Sequence, residues 1–248
     1  MNNKWILHSK TAAERKYRMI LFHHAGGSAA SFISWKNIVE KAELYPVQLP
    51  MRENRIQEPM PENVYDIVTS FVKDSYELFD DAYILFGHSM GGMLAFETAK
   101  EIQRNGLRRP AAVFISSCNP PGVSEKNDFS DLSDEKLKSI LMEYGLMPEA
   151  ILSEPNYLEY YLPIARADFY LCANYNRECL NDTKLDCPIV IMYGNKDAFL
   201  KYDELDKWKL YTKSVFSKYE FDGGHFYYFD NTEKVCNIID SVFSLFND

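Results

Sequence analysis

Tyr83-Ile84-Leu85-Phe86-Gly87-His88-Ser89-Met90-Gly91-Gly92-Met93-Leu94 runs from an apolar strand pattern straight into a helical one. The run Ala82 to Phe86 predicts a strand, and the stretch from about Met90 to Gln103 predicts a helix. At the junction, Gly87-His88-Ser89-Met90-Gly91 fits the pattern Gly-x-Ser-x-Gly. A tight strand-to-helix turn forces its serine into a strained backbone conformation. Glycines on either side let neighbouring backbone pass without a Cβ clash. The helix N-terminus beneath favours negative charge developing there.

Working outward, the same alternation continues on both sides. Met19 to Phe22 and Leu44 to Leu49 read as strands, with a helix over Phe32 to Val39 between them. Val64, Ile67, Val68, Phe71 and Val72 recur at helical spacing and place an apolar stripe on one face. Ala111 to Ile115 is the next strand. This βαβ rhythm predicts a mainly parallel sheet with helices on both faces and right-handed crossovers. From Asn119 to Asp186 strand signals vanish, and amphipathic pieces appear around Asp134 to Tyr144, Pro148 to Leu152 and Tyr157 to Tyr175. The rhythm resumes with strands at Pro188 to Tyr193 and Tyr219 to Asp222, then a closing helix carrying Val235, Ile238, Ile239, Val242, Phe243 and Phe246. The expectation is a single α/β domain over 1–248, with a helical insertion at about 119–186.

Composition limits the function classes. The 248 residues are 46% hydrophobic and 25% charged, the balance of a globular chain. A net charge of −9 argues against a nucleic-acid partner. No apolar run approaches the roughly 18 residues of a membrane span. Met1 to Lys10 lacks the apolar stretch of a secretory signal, so a cytoplasmic location is expected. The five Cys residues contain no CxxC pair, which suggests reduced, mostly buried thiols rather than disulfides or a zinc site.

A serine hydroxyl needs a base to remove its proton and a carboxylate to orient that base. Of the five His residues, only His225 follows the serine motif, in Asp222-Gly223-Gly224-His225-Phe226. His88, His8, His23 and His24 fall to local structural hydrogen bonding. Asp197 follows the strand ending at Tyr193, at the carboxyl end of the sheet where open α/β proteins assemble their sites. Asp203 is the next candidate for the acid, while Asp206 and Asp222 read as solvated. Two N–H donors are needed for a tetrahedral oxyanion: Met90, and Ala25 in His23-His24-Ala25-Gly26-Gly27, with Gly26 the other possibility. No metal and no cofactor is required by this chemistry.

Taken together, Phe22-His23-His24-Ala25-Gly26-Gly27, Leu49-Pro50-Met51-Arg52-Glu53-Asn54-Arg55, Phe86-Gly87-His88-Ser89-Met90-Gly91-Gly92, Arg166-Ala167-Asp168-Phe169 and Gly224-His225-Phe226 resemble the type II thioesterases. These are stand-alone α/β-hydrolases of nonribosomal peptide and polyketide assembly lines. The resemblance runs from about Lys16 to Phe246. It implies an α/β-hydrolase fold whose insertion is a mobile lid. It also implies hydrolysis of acyl groups from the phosphopantetheine arm of an acyl-loaded carrier protein, without nucleic acid or membrane as partner. Nothing in the sequence calls for more than a monomer. Two departures stand out: the family usually has Pro at His23 and Gly at Met51. Met51 bears on substrate range, and His23 reads as a neutral surface replacement. Arg52 and Arg55, with Arg104, Arg108 and Arg109, could meet an acidic carrier, although the last three read better as a solvated helix end. The cap aromatics Tyr157, Tyr160, Tyr161, Phe169, Tyr170 and Tyr175 either line an acyl pocket or pack as core. The competing readings are a small-molecule carboxylesterase, an acyltransferase, a product-releasing thioesterase and a non-catalytic carrier-binding scaffold.

Overall fold

Short apolar runs become parallel strands when helices cover both faces of the sheet they form. A computed structural model of the chain describes residues 3–7, 17–39, 41–123, 133–145, 154–178 and 183–246. Within it six strands form one sheet: β1 (Tyr17–Phe22), β2 (Ala42–Pro46), β3 (Tyr83–His88), β4 (Val113–Ser116), β5 (Ile189–Gly194) and β6 (Phe216–Phe221). Their order is β2-β1-β3-β4-β5-β6, and every adjacent pair is parallel. A lone antiparallel bridge joins Ile6 to Val47.

Alternate residues of each strand feed two separate cores. Ile20, Leu85, Val113 and Ile189 pack with α1 (Val64–Asp74) and α2 (Met90–Arg104) on one face. Leu21, Phe86, Phe114 and Val190 pack on the other with Phe32, Trp35 and the last helix, α5 (Thr232–Phe246), as the two-fold period of a strand requires. The whole apolar stripe of α1 is buried, and the Asn63 side chain caps the helix by accepting from the Asp66 N–H, a contact worth about 1 kcal/mol. The chain steps one way from β1 to β2 and the other way at every later crossover. Its connection changes face at the same point, so one handedness serves throughout. β1 and β3 are therefore adjacent strands with diverging connections. The crevice at their carboxyl ends is the topological switch point, where open sheets hold their sites.

The helix expected over Phe32 to Val39 is a 3-10 helix, and a second 3-10 helix follows β5. Ala29–Asn37 buries Ala29, Phe32 and Trp35, a spacing of three that matches 3.0 residues per turn. Tyr202–Tyr211, which carries Asp203 and Asp206, buries Leu205 and Trp208 by the same rule. β2 ends at Pro46, short of the expected Leu49, although the Val47 N–H still donates to the Leu21 carbonyl of β1 (2.8 Å). β6 begins three residues before its expected start because it is an edge strand, and exposed Lys218 and Glu220 hide its apolar signal. Between β4 and β5 lie α3 (Asp134–Glu143) and the long α4 (Pro155–Glu178). The expected helical piece at 148–152 lies outside the described residues, as do His8, Lys16 and Cys179. Among the described residues no helix is long and apolar enough to cross a membrane.

Met51 adopts φ 65, the left-handed region where a side chain costs roughly 1 kcal/mol or more. Its N–H is held by the Arg55 and Glu58 carbonyls, so the conformation is imposed by the turn. Glycine meets that demand without strain, which is a backbone reason for the glycine that the resemblance implies at this position. Met51→Gly should stabilise the protein by about 1 kcal/mol, raising Tm by roughly 2–4 °C in thermal unfolding. An unchanged or lower Tm would refute backbone strain as the reason.

Candidate active site

The turn from β3 into α2 holds Ser89 at φ 56, ψ −121, a strained combination for a residue with a side chain. Two backbone bonds fix it there: Ser89 N–H to the Ser116 carbonyl (2.8 Å) and Gly92 N–H to the Ser89 carbonyl (2.8 Å). A Cβ on Gly87 would overlap the Gly91 carbonyl, and one on Gly91 would overlap the Phe22 carbonyl at the end of β1. The motif glycines are therefore demanded by backbone approaching backbone. The result is a serine at the mouth of the switch-point crevice, at the N-terminus of α2.

His225 lies in the loop after β6, and its Nδ1 is 2.9 Å from Asp197 Oδ2 in the loop after β5. The register Gly194↔Phe221 brings those two loops together. Asp197 is 1% exposed, and its second oxygen accepts the Phe199 N–H at 3.0 Å. With Nδ1–H donated to Asp197 Oδ2, Nε2 is left as the acceptor nitrogen of the ring. Ser89, Met90 and His225 line one pocket, with Met93, Tyr144, Cys172 and Phe199 among its other walls. Tyr144 and Phe199 stack on each other, and both flank the His225 ring at 5.2 and 5.5 Å. Asp203 and Asp206 are exposed, and exposed Asp222 pairs with Lys196 at 2.7 Å.

Among the described residues the N–H groups of Ala25 and Met90 have no hydrogen-bond partner. The Gly26 N–H is committed to Asp168 Oδ2 at 2.7 Å. Of the two donors considered in that loop, Ala25 is the one available.

The other described histidines form a neutral polar frame. His88 bonds through Nδ1 to Ser116 Oγ (2.8 Å), which also meets the Tyr227 hydroxyl (2.8 Å). Its ring lies 5.0 Å from that of His225. Burial, reinforced by the nearby His225, pushes His88 well below the ordinary histidine range. Burial, with His225 and Arg52, pushes His24 down to about 3. His23 is fully buried rather than on the surface, with Nδ1 on the His24 carbonyl, and burial lowers it strongly too.

Arg52 and Arg55 are likewise buried, at 2% and 3% exposure, so neither faces a carrier. Arg52 forms a bidentate pair with Asp168 (2.7 and 2.9 Å). Arg55 pairs with Glu58 and lies over Trp5 at 4.1 Å. Arg104, Arg108 and Arg109 are exposed at and beyond the C-terminal end of α2. That end is about 22 Å from Ser89 by helix rise. Of the six cap aromatics, Tyr175 alone is among the pocket-lining residues, and Met51 is not one of them. The pocket residues Tyr144, Phe199, Met93 and Cys172 carried no sequence signal beyond apolarity. No cluster of three metal-ligating side chains occurs among the described residues.

A model of the thioesterase domain family matches residues 17–243. The chain is 31% identical over 231 residues to the gramicidin S biosynthesis protein GrsT of Aneurinibacillus migulanus, spanning 92% of this chain and 90% of that one. It is 29% identical over 238 residues to thioesterase PikA5 of Streptomyces venezuelae, spanning 95% and 84%. The solved type II thioesterase BorB from the borrelidin biosynthetic cluster superimposes with a TM-score of 0.87 at 26% identity, over 98% of this chain and 99% of that one.

The three lowered histidines set a pH dependence. Each binds a proton near pH 6.5 when unfolded and stays neutral when folded, so unfolding takes up protons below that pH. Stability should be full above pH 6.5 and fall as pH drops from 6.5 towards 5, with an uptake of up to three protons. Ordinary carboxylates titrate lower, so this window isolates the histidines. Urea unfolding at half-unit pH steps measures the slope, and a flat profile from pH 6.5 to 5 would contradict the neutral frame.

Proposed function

The chain belongs to the thioesterase domain family, and from that premise we propose that it is a serine thioesterase acting on acyl groups carried by the phosphopantetheine arm of carrier proteins. One observation carries the mechanism: the His225–Asp197 contact of 2.9 Å opens onto the same pocket as the strained Ser89 turn. In this reading Ser89 Oγ attacks the thioester carbonyl carbon while its proton passes to His225 Nε2. Asp197 holds the ring and offsets the imidazolium charge. The oxyanion is met by the Ala25 and Met90 N–H groups, an arrangement typically worth about 3 kcal/mol per donor. The C–S bond then breaks, and the carrier thiol leaves with the proton from His225. Water, deprotonated by His225, attacks the acyl-serine and releases a carboxylic acid and free Ser89. A thioester carbonyl is less resonance-stabilised than an ester, so this machinery needs no metal.

The chain is read as one domain with the 119–186 segment as its lid, working as a monomer in the cytoplasm. The kinship with GrsT and BorB supports a housekeeping task beside a peptide or polyketide assembly line, clearing acyl groups that block carriers.

Intact-protein mass spectrometry of acyl-loaded carrier tests this directly, with acyl-CoA and an aryl ester run in parallel. Wild type should strip the acyl mass from the carrier much faster than it cleaves the aryl ester. Ser89→Ala and His225→Ala should each lose at least about 10³-fold while remaining folded. Loaded carriers surviving beside rapid ester turnover would mean a carboxylesterase. Near-normal turnover by His225→Ala would remove the assigned base.

A further inference from the structure

The loop that offers Ala25 is tied down by the cap as well as by the sheet. Asp168, on α4 and fully buried, accepts the Gly26 N–H on Oδ2 (2.7 Å). The same oxygen accepts Arg52 Nη1 (2.9 Å), and Oδ1 accepts Arg52 Nη2 (2.7 Å). Arg52 Nη1 also donates to the Gly27 carbonyl (2.8 Å), and its Nε donates to the Pro50 carbonyl (3.0 Å). One buried ion pair therefore grips the N–H of Gly26 and the C=O of Gly27, immediately after the free N–H of Ala25. Tyr161, seven residues before Asp168 on the same face of α4, presses its hydroxyl where a Gly26 Cβ would stand.

We propose that Asp168 is a positioning residue that couples seating of the cap helix to assembly of the oxyanion hole, so that Ala25 N–H is aimed only while α4 rests on the loop. The proposal rests on the reading of Ala25 and Met90 as oxyanion donors. Its physical basis is the cost of an unpaired buried charge. If α4 lifts, Arg52 loses its carboxylate while still enclosed, and Gly26 N–H loses its acceptor. Partial displacement is therefore unfavourable, and cap and loop move together between seated and released states. A thioester can enter with the cap lifted, and attack becomes productive once the cap reseats.

Asp168→Asn retains an oxygen for Gly26 but removes the charge that holds Arg52. It should lower kcat by about 10²-fold, the scale of losing one oxyanion donor, with little change in KM. Affinity for an alkyl boronic acid, whose serine adduct presents an oxyanion, should fall in proportion. Affinity for the carboxylic acid product should not change. Arg52→Lys keeps a cation beside Asp168, and so preserves folding, but cannot span Asp168 and Gly27 together. About a 10-fold loss in both kcat and boronate affinity is expected. In wild-type protein, hydrogen exchange should show residues 23–28 and 161–171 opening as one unit. Folded variants with wild-type kcat and boronate affinity, a kcat loss without a boronate loss, or independent opening of the two segments would each overturn the coupling. A wild type that neither hydrolyses acyl-carriers nor binds boronate would instead strike at the underlying catalytic reading.

Discussion

Gly91 lies against the last carbonyl of β1, and that close approach is the constraint on which the site depends. It brings the end of β1, the end of β3 and the start of α2 within contact of one another, at the point where the sheet's connections diverge. The register Phe22↔Gly87 is what allows it. Ser89 and the Ala25 loop thus meet because two strands are neighbours and a third element begins without a side chain in the way. The backbone strain at Ser89 costs roughly 1–3 kcal/mol. It is offset by α2 itself, from which Met90 to Lys100 are all buried.

Around this turn the protein removes charge rather than adding it. His23, His24 and His88 are held neutral chiefly by burial, and the nearness of His225 contributes to the lowering of the last two. A cation on any of them would repel an imidazolium forming on His225, whose ring is 5.0 Å from that of His88. Neutral neighbours leave Asp197 as the charged group bonded to that ring. The frame lets the positive charge form where a carboxylate awaits it.

Elements with a local signal were legible in the sequence. The βαβ alternation gave the parallel sheet and both helical layers, and the chain order of serine, acid and histidine singled out side chains that do converge, His225 on Asp197. What failed to show depends on partners far along the chain. Arg52 and Arg55 looked like surface cations because nothing nearby in sequence announces Asp168, 116 residues on from Arg52, or the Trp5 ring beside Arg55. His23 reads as polar, yet its burial is set by the packing of β1. The 3-10 character of Ala29–Asn37 does not show in the sequence because buried residues every third position resemble an imperfect α-helical stripe over only nine residues. Edge strand β6 was trimmed because half of it meets water, where alternation replaces a continuous apolar run.

The seam between cap and body sets a line of polar contacts within a largely apolar interface. Tyr161, Asp168 and Tyr175 recur every seven residues along α4, two helical turns and about 10.5 Å apart. They meet Gly26, the Gly26 N–H with Arg52, and Glu97 in turn. At the far point the Tyr175 hydroxyl donates to Glu97 Oε1 (2.9 Å), which also accepts from buried Lys100 (2.7 Å). Apolar contacts between, such as Leu171 and Cys172, tolerate sliding by a fraction of a turn at small cost. The buried Arg52–Asp168 pair does not, because a shift leaves each charge without its partner, and the Tyr175 hydrogen bond to Glu97 breaks with it. The cap therefore has one seated position along the body, and that position is the one in which Gly26 is engaged and Ala25 is free.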